Sequence, residues 1–206
     1  MILVIGNKNY SSWSLRPWIA MRALGIEFQE KYIPLYGPGA RQEILLESPA
    51  GRVPILIDGA TRVWDSLAIL EYLAEKHPQL WPSGGEARAV ARSISAEMHS
   101  GFPNLRNHMS MNVRKRYPGK GRTPEVLSEA KRINAIWSDA KGPFLFGAFS
   151  AADAMYAPVV LRFRTYDVAV DNRAYYDAML ALPAMKEWIA AAERERESIP
   201  QFDLYE

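Results

Sequence analysis

Residues Ile2 to Ile5 form an apolar run of strand length, closed by the polar turn Gly6-Asn7-Lys8-Asn9. From Ser14 the period changes. Leu15, Trp18, Ile19 and Ala23 repeat at steps of three and four, Pro17 is tolerable in a first helical turn, and Gly25 stops the run, which predicts a helix. Phe28 to Leu35 reads as a second strand. Pro38 to Leu46 has weak helical spacing that Ser48-Pro49-Ala50-Gly51 breaks. Next come two strand-like runs, 53–57 and 61–64, on either side of the hairpin signal Asp58-Gly59. Helical period then returns with Leu67, Ile69, Leu70, Leu73 and Ala74, ending at Glu75-Lys76-His77 before Pro78. The pattern is β-α-β-α-β-β-α.

Pro82-Ser83-Gly84-Gly85 is the best linker in the chain, and no strand alternation of comparable strength follows it. The expected division is therefore residues 1–81 and 86–206, an α/β domain followed by an all-α domain. Helices are expected at about 86–112, 124–141, 151–166, 173–181 and 184–194. Thr123-Pro124 supplies an N-cap with proline at the first position, and Ser150-Ala151-Ala152-Asp153 is a capping box with Asp at its acidic position.

Composition narrows the chemistry. Twenty-five Lys and Arg against 23 Asp and Glu leave a formal net charge of +2, too little to imply a field that holds nucleic acid or an anionic membrane. There is no cysteine, so disulfides, thiolate metal sites and Cys nucleophiles are excluded, and sulfur chemistry would need a substrate's thiol. The opening apolar run is too short for a signal sequence, no stretch approaches membrane-spanning length, and a cytoplasmic location is expected. His77, His99 and His108 show no metal-ligand spacing. The Gly37 and Gly119 loops match no nucleotide-binding pattern. No metal and no nucleotide is expected.

Three places in the first domain are chemically pointed. Tyr10-Ser11-Ser12-Trp13-Ser14 sets hydroxyls at a helix start, where unpaired N–H groups and the positive dipole end stabilise an anion such as a thiolate. In Arg52-Val53-Pro54-Ile55 the proline sits at a strand's first residue; a cis bond there would turn the Val53 backbone outward to pair with an extended peptide. Asp65-Ser66 opens a helix whose start suits a carboxylate, with Asp65 placed to pair with an amine beside it.

Taken together these segments resemble the cytosolic glutathione S-transferases. The likeness covers nearly the whole chain, and its most specific element is the run Asp65-Ser66-Leu67-Ala68-Ile69-Leu70-Glu71-Tyr72-Leu73. Ser11-Ser12-Trp13-Ser14-Leu15-Arg16 is similar to the Ser-Ser-Cys-Ser-Trp-Arg of the zeta class, which includes maleylacetoacetate isomerases. Trp13 stands where that class has Cys, Arg52 where Gln is common, and Asp65 where Glu or Gln is usual.

The resemblance implies a thioredoxin-like first domain, an all-α second domain, a homodimer, and glutathione as co-substrate. It implies that Ser11 or Ser12 donates to the glutathione sulfur: the zeta class favours Ser11, and alignment with theta-like serine enzymes favours Ser12. It further implies that Val53, after Arg52 and before Pro54, pairs with the cysteinyl backbone, and that Asp65 and Ser66 hold the γ-glutamyl end. Ser150 and Asp153 match a structural box. The electrophile pocket is expected around Trp13, Met109, Met111 and Arg114, where Met and aromatic side chains suit an adaptable apolar site and the basic run 106–122 suits an anion. The expected activity is thiol activation for attack on an electrophile; a glutathione-dependent maleylacetoacetate-type isomerase and a non-catalytic binding module are the alternatives.

Overall fold

A computed structural model describes residues 1–205. Four short strands, β1 (Ile2–Ile5), β2 (Gln29–Tyr32), β3 (Ile55–Asp58) and β4 (Thr61–Trp64), form one mixed sheet in the order β2-β1-β3-β4. β1 and β2 run parallel, with Ile2 opposite Gln29, and the crossover between them is helix α1 (Ser12–Ala23). β3 pairs antiparallel with both β1 and β4, and Gly59, in the left-handed region at φ +59°, makes the tight turn of the hairpin. Helix α2 (Ala40–Glu47) precedes β3 and α3 (Ser66–Lys76) follows β4.

The two-residue period of the strands sends alternate side chains to opposite faces. Leu3, Ile5 and Leu56 join α1 and α3 residues in the main core, whereas Val4 and Ile55 pack with Ile33 and with Ile44 of α2 in a smaller cluster. Beyond α3 the chain is helical: α4 (Gly85–Ser100), α5 (Pro103–His108), α6 (Pro124–Ser138), α7 (Ala151–Tyr166), α8 (Arg173–Ala181) and α9 (Pro183–Arg194). Within α7 every residue except Arg164 is buried, and α1 lies along it. The main core runs without a break from Leu3 to Ala192. Among the described residues no helix is long and apolar enough to cross a membrane.

The helix expected over 86–112 is divided in two. At Gly101 an added Cβ would lie 2.7 Å from the Glu97 carbonyl oxygen, Phe102 adopts the left-handed φ of +58°, and Pro103 opens α5. Residues after His108 leave the helix and pass close to the start of α1, where Val113 N–H donates to the Asn9 carbonyl at 3.2 Å. At the head of α7, Asp153 accepts from Ser150 N–H and hydroxyl at 2.8 Å each and from Leu145 N–H at 3.0 Å, so one buried carboxylate ties the preceding loop to the helix. Burial nonetheless pushes its pKa up, to about 6.

A tryptophan pair fastens the last long helix to the first. Trp18 of α1 and Trp188 of α9 are both fully buried with ring centroids 5.1 Å apart, and their indoles donate to Glu30 Oε1 at 2.7 Å and to the Lys8 carbonyl at 3.0 Å. Trp188→Ala removes a filled volume and one of these bonds together, so a loss of about 3–5 kcal/mol of unfolding free energy is expected. Urea denaturation reads it; a loss below about 1 kcal/mol would show that the pair does not hold α9 in place.

Candidate functional site

A cavity of about 630 Å3 opens where the start of α1 meets the loop after β2, the 51–53 stretch, the segment after α5, helix α7 and the C-terminal tail. Of the residues singled out in the sequence, Ser11, Ser12, Trp13, Arg52, Val53 and Met111 line it. The Val53-Pro54 bond is cis, with Val53 at the cavity wall and Pro54 buried beneath it.

The two candidate serines differ in what their hydroxyls do. Ser11, preceding the first residue of α1, donates its hydroxyl to Ser14 Oγ at 2.7 Å, and Ser14 Oγ also accepts Gly6 N–H at 3.2 Å. Ser12 Oγ instead accepts from Arg162 Nη2, 3.4 Å away on α7. No acidic residue lies in the first turn of α1, so its positive end is not offset locally.

Three arginines gather behind this point. Arg16, wholly buried, donates to Ser66 Oγ at 3.2 Å; burial, then repulsion from Arg106 and Arg162, holds its pKa well below the usual guanidinium value, with Asp65 opposing. Arg106 is lowered by burial and raised by Glu129. Burial first and Arg106 second push Arg162 down to about 9, and the neighbour that opposes this is the Tyr166 phenol rather than a carboxylate. Among the described residues no carboxylate forms an ion pair with Arg106 or Arg162. Since Arg106 and Arg162 both line the cavity, an entering anion meets positive charge that Glu129 offsets in part at Arg106 and that no described carboxylate offsets at Arg162. Arg41 and Arg52 also line the cavity and add positive charge.

Trp13, on the cavity wall, is packed among cationic and aromatic side chains. Its ring lies 4.3 Å from the Arg16 guanidinium and 5.0 Å from that of Arg106, with His99 edge-on at 5.3 Å. On the far side of this cluster is the start of α3. Ser66 is fully buried, and Asp65 holds a positive φ of +76°, a conformation that costs about 1–3 kcal/mol in a non-glycine residue. The Asp65 carboxylate caps α3 by accepting from Leu67 N–H at 2.9 Å and Ala68 N–H at 3.2 Å, and its other oxygen meets His99 Nε2 at 3.2 Å. Asp65 and Ser66 therefore border the Trp13 cluster and are not part of the cavity lining.

Met109 and Arg114, expected near the electrophile, do not line this cavity. Met109 is fully buried in the core, and its carbonyl accepts from Arg162 Nη1. Helix α5 ends at His108, so Met109 and Arg114 fall in the irregular segment after it. Arg114 instead grips the tail: its guanidinium donates to the carbonyls of Glu195 and Glu197 and, at 3.2 Å, to the Tyr10 hydroxyl. Glu195 completes the clasp by accepting Lys8 and Asn9 N–H groups at 2.5 and 2.9 Å. The strapped tail brings Phe202 into the cavity wall, 5.7 Å from both Tyr10 and Tyr36.

Tyr36, Phe202 and Arg162 went unmarked in the sequence. Tyr36 and Phe202 carry no local signal, since they meet through the tail. Arg162 does carry one: it is the lone charge in the stretch from Ala154 to Phe163, where a buried helix should be apolar throughout. Among the described residues no cluster of His, Asp and Glu could hold a metal ion.

Residues 10–76 match the family described as "Glutathione S-transferase, N-terminal domain" and residues 121–191 match "Glutathione S-transferase, C-terminal domain". A maleylacetoacetate isomerase from Rattus norvegicus is 33% identical over 169 residues, covering 77% of this chain and 76% of the rat protein. A probable maleylacetoacetate isomerase from Caenorhabditis elegans is 35% identical over 99 residues; the chain spans about half of that relative, 46% of its length, and the match takes in 47% of this chain. Among solved structures, a maleylacetoacetate isomerase from Methylobacterium extorquens with bound malonate and GSH superimposes with a TM-score of 0.72 at 22% identity, covering 97% of this chain and all of that one.

The clasp makes a direct expectation. Arg114→Ala removes three hydrogen bonds from a charged donor, and amide exchange across 195–205 should then rise by about tenfold or more with the core unchanged. Hydrogen exchange followed by mass spectrometry measures this, and unaltered exchange in the tail would show that Arg114 does not fasten it.

Proposed function

The chain belongs to the glutathione S-transferase family, and on that premise we propose that it binds glutathione in the cavity at the start of α1, ionises the thiol, and delivers the thiolate to an electrophilic small molecule. The observation that carries this reading is the meeting, on one cavity, of serine hydroxyls at an uncompensated helix start with the buried Arg162 guanidinium and the half-buried Arg106, neither of which forms an ion pair among the described residues. A thiolate is the anion such a place favours.

In this reading Val53 pairs with the cysteinyl backbone and Arg52 meets the peptide's outer edge. Asp65 and Ser66 hold the γ-glutamyl end, which requires the ligand's amine to compete with His99 for the Asp65 carboxylate. The electrophile lies over Met111 between the Tyr36 and Phe202 rings and the guanidinium groups of Arg106 and Arg162. An apolar wall facing a cationic one suits an apolar molecule that carries an anionic group. That same pairing gives the isomerase reading its footing, because a diketo acid offers carboxylates to both arginines while the thiolate adds to its double bond and leaves again.

We place the enzyme in the cytoplasm as a homodimer. Trp64 on β4 and Val90 on α4 are large apolar side chains nearly half exposed in the single chain, which supports a protein partner over them. Sedimentation should give twice the 23.3 kDa chain mass; a monomer at micromolar concentration overturns the dimer.

Calorimetry with glutathione, followed by ultraviolet titration of the bound thiol, tests the central claim. Binding below millimolar concentration is expected, with the thiol pKa at least one unit under the free value of about 8.5. Absence of binding favours a non-catalytic module, and binding with an unshifted thiol defeats the mechanism.

A further inference from the structure

Resting on that reading, we propose that Ser12, rather than Ser11, faces the glutathione sulfur, and that Arg162 of α7 is the positioning residue that aims the Ser12 hydroxyl and favours the ionised sulfur beside it.

The two serines are told apart by where their protons go. Ser11 spends its hydroxyl proton on Ser14 Oγ, within its own turn. Ser12 Oγ accepts from Arg162, and a hydroxyl that accepts from a guanidinium, which has no lone pair to offer, keeps its own proton for a third group. That third group is whatever enters the cavity, because Ser12 and Arg162 both line it. The 3.4 Å separation is long for a hydrogen bond, as catalytic contacts commonly are before a ligand tightens them.

Arg162 is held for this task. Its Nη1 donates to the Met109 carbonyl, which fixes the plane of the fork and leaves Nη2 directed at Ser12. The charged and titratable groups facing it are Arg106 from α5, Arg16 from α1 and Tyr166 from its own helix. Asp65 offsets Arg16 and Glu129 offsets Arg106, whereas among the described residues Arg162 has the neutral phenol alone. A buried cation without a counter-charge is costly, and an anionic sulfur at Ser12 supplies one.

The step balances simply. The S–H bond of glutathione breaks, its electron pair stays on sulfur, and the proton leaves to water at the open mouth of the cavity. The sulfur then accepts the Ser12 O–H, whose donor strength is raised by the guanidinium behind it. Arg162 keeps its proton throughout. Because Arg162 sits on α7, thiol activation draws on the helical half of the chain as well as on the sheet half.

The test titrates enzyme-bound glutathione in wild type, Arg162→Gln, Arg162→Lys, Ser12→Ala and the Ser12→Ala/Arg162→Gln double variant, with binding verified by calorimetry in each. Loss of a charge this close should raise the bound thiol pKa by about one unit or more in Arg162→Gln, leaving about one-tenth of the thiolate at a pH below both values. Arg162→Lys should recover most of the shift, and Arg162→Gln should act less in the Ser12→Ala background than alone. A thiol that titrates alike in wild type and Arg162→Gln while glutathione still binds overturns the inference and leaves the proposed function standing. If Arg162→Gln does not fold, Ser12→Ala decides: an upward shift supports the assignment and an unchanged thiol overturns it. A wild type that fails to bind glutathione, or binds it with a free-like thiol, sinks the function itself and this inference with it.

Discussion

The burial of α1 against α7 is the contact on which the rest of the molecule depends. α1 is a short crossover that would be marginal alone, yet nine of its twelve residues are buried, because one side meets the sheet and α3 and the other meets α7 and α9. That packing is nearly all apolar, so it fixes the two helices with little freedom to slide. It also decides the chemistry. The amino end of α1 with Ser11 and Ser12 is brought against the arginine-bearing last turns of α7, from the other end of the sequence.

Charge is managed unevenly around that contact. A protein of net charge +2 has ample acidic residues to pair its basic ones, and on the surface it does so, as between Arg132 and Glu97 or Lys31 and Glu47. Around the cavity the pairing lapses. Among the described residues, Arg16 and Arg106 each have a single acidic neighbour offsetting them and Arg162 has none. Surface pairs contribute little stability, and an uncompensated guanidinium indoors costs a good deal. The asymmetry makes sense where the missing charge arrives with a ligand.

Much of this was legible in the sequence. Ile2 to Ile5, the Asp58-Gly59 hairpin and the Leu67-to-Ala74 stripe carry their periods openly, and the strands and helix formed there, because local pattern and burial agree. The capping residues of α6 and α7 were equally plain. The break at Gly101-Phe102 was not: a glycine in a helical stretch signals weakly, and the left-handed turn at Phe102 comes from packing that no short window contains. Met109 and Arg114 fall in the irregular segment beyond α5 and do not line the cavity. Arg162 was hidden for the opposite reason. Its neighbours along the chain say only that α7 is buried, and its partner Ser12 lies 150 positions away.

The tail shows how binding and folding are kept apart. Phe202 closes one side of the cavity, held by its own carbonyl, which accepts from Ser110 Oγ at 2.6 Å, and through its neighbours by hydrogen bonds to Arg114, Tyr10 and Asn112. A segment fastened by a set of side-chain contacts can peel back and reseat at a cost set by those contacts. The width of the entrance is thus free to breathe around guests of different bulk, and changes at Phe202 can retune appetite for one guest over another while the interior that keeps the chain folded goes undisturbed.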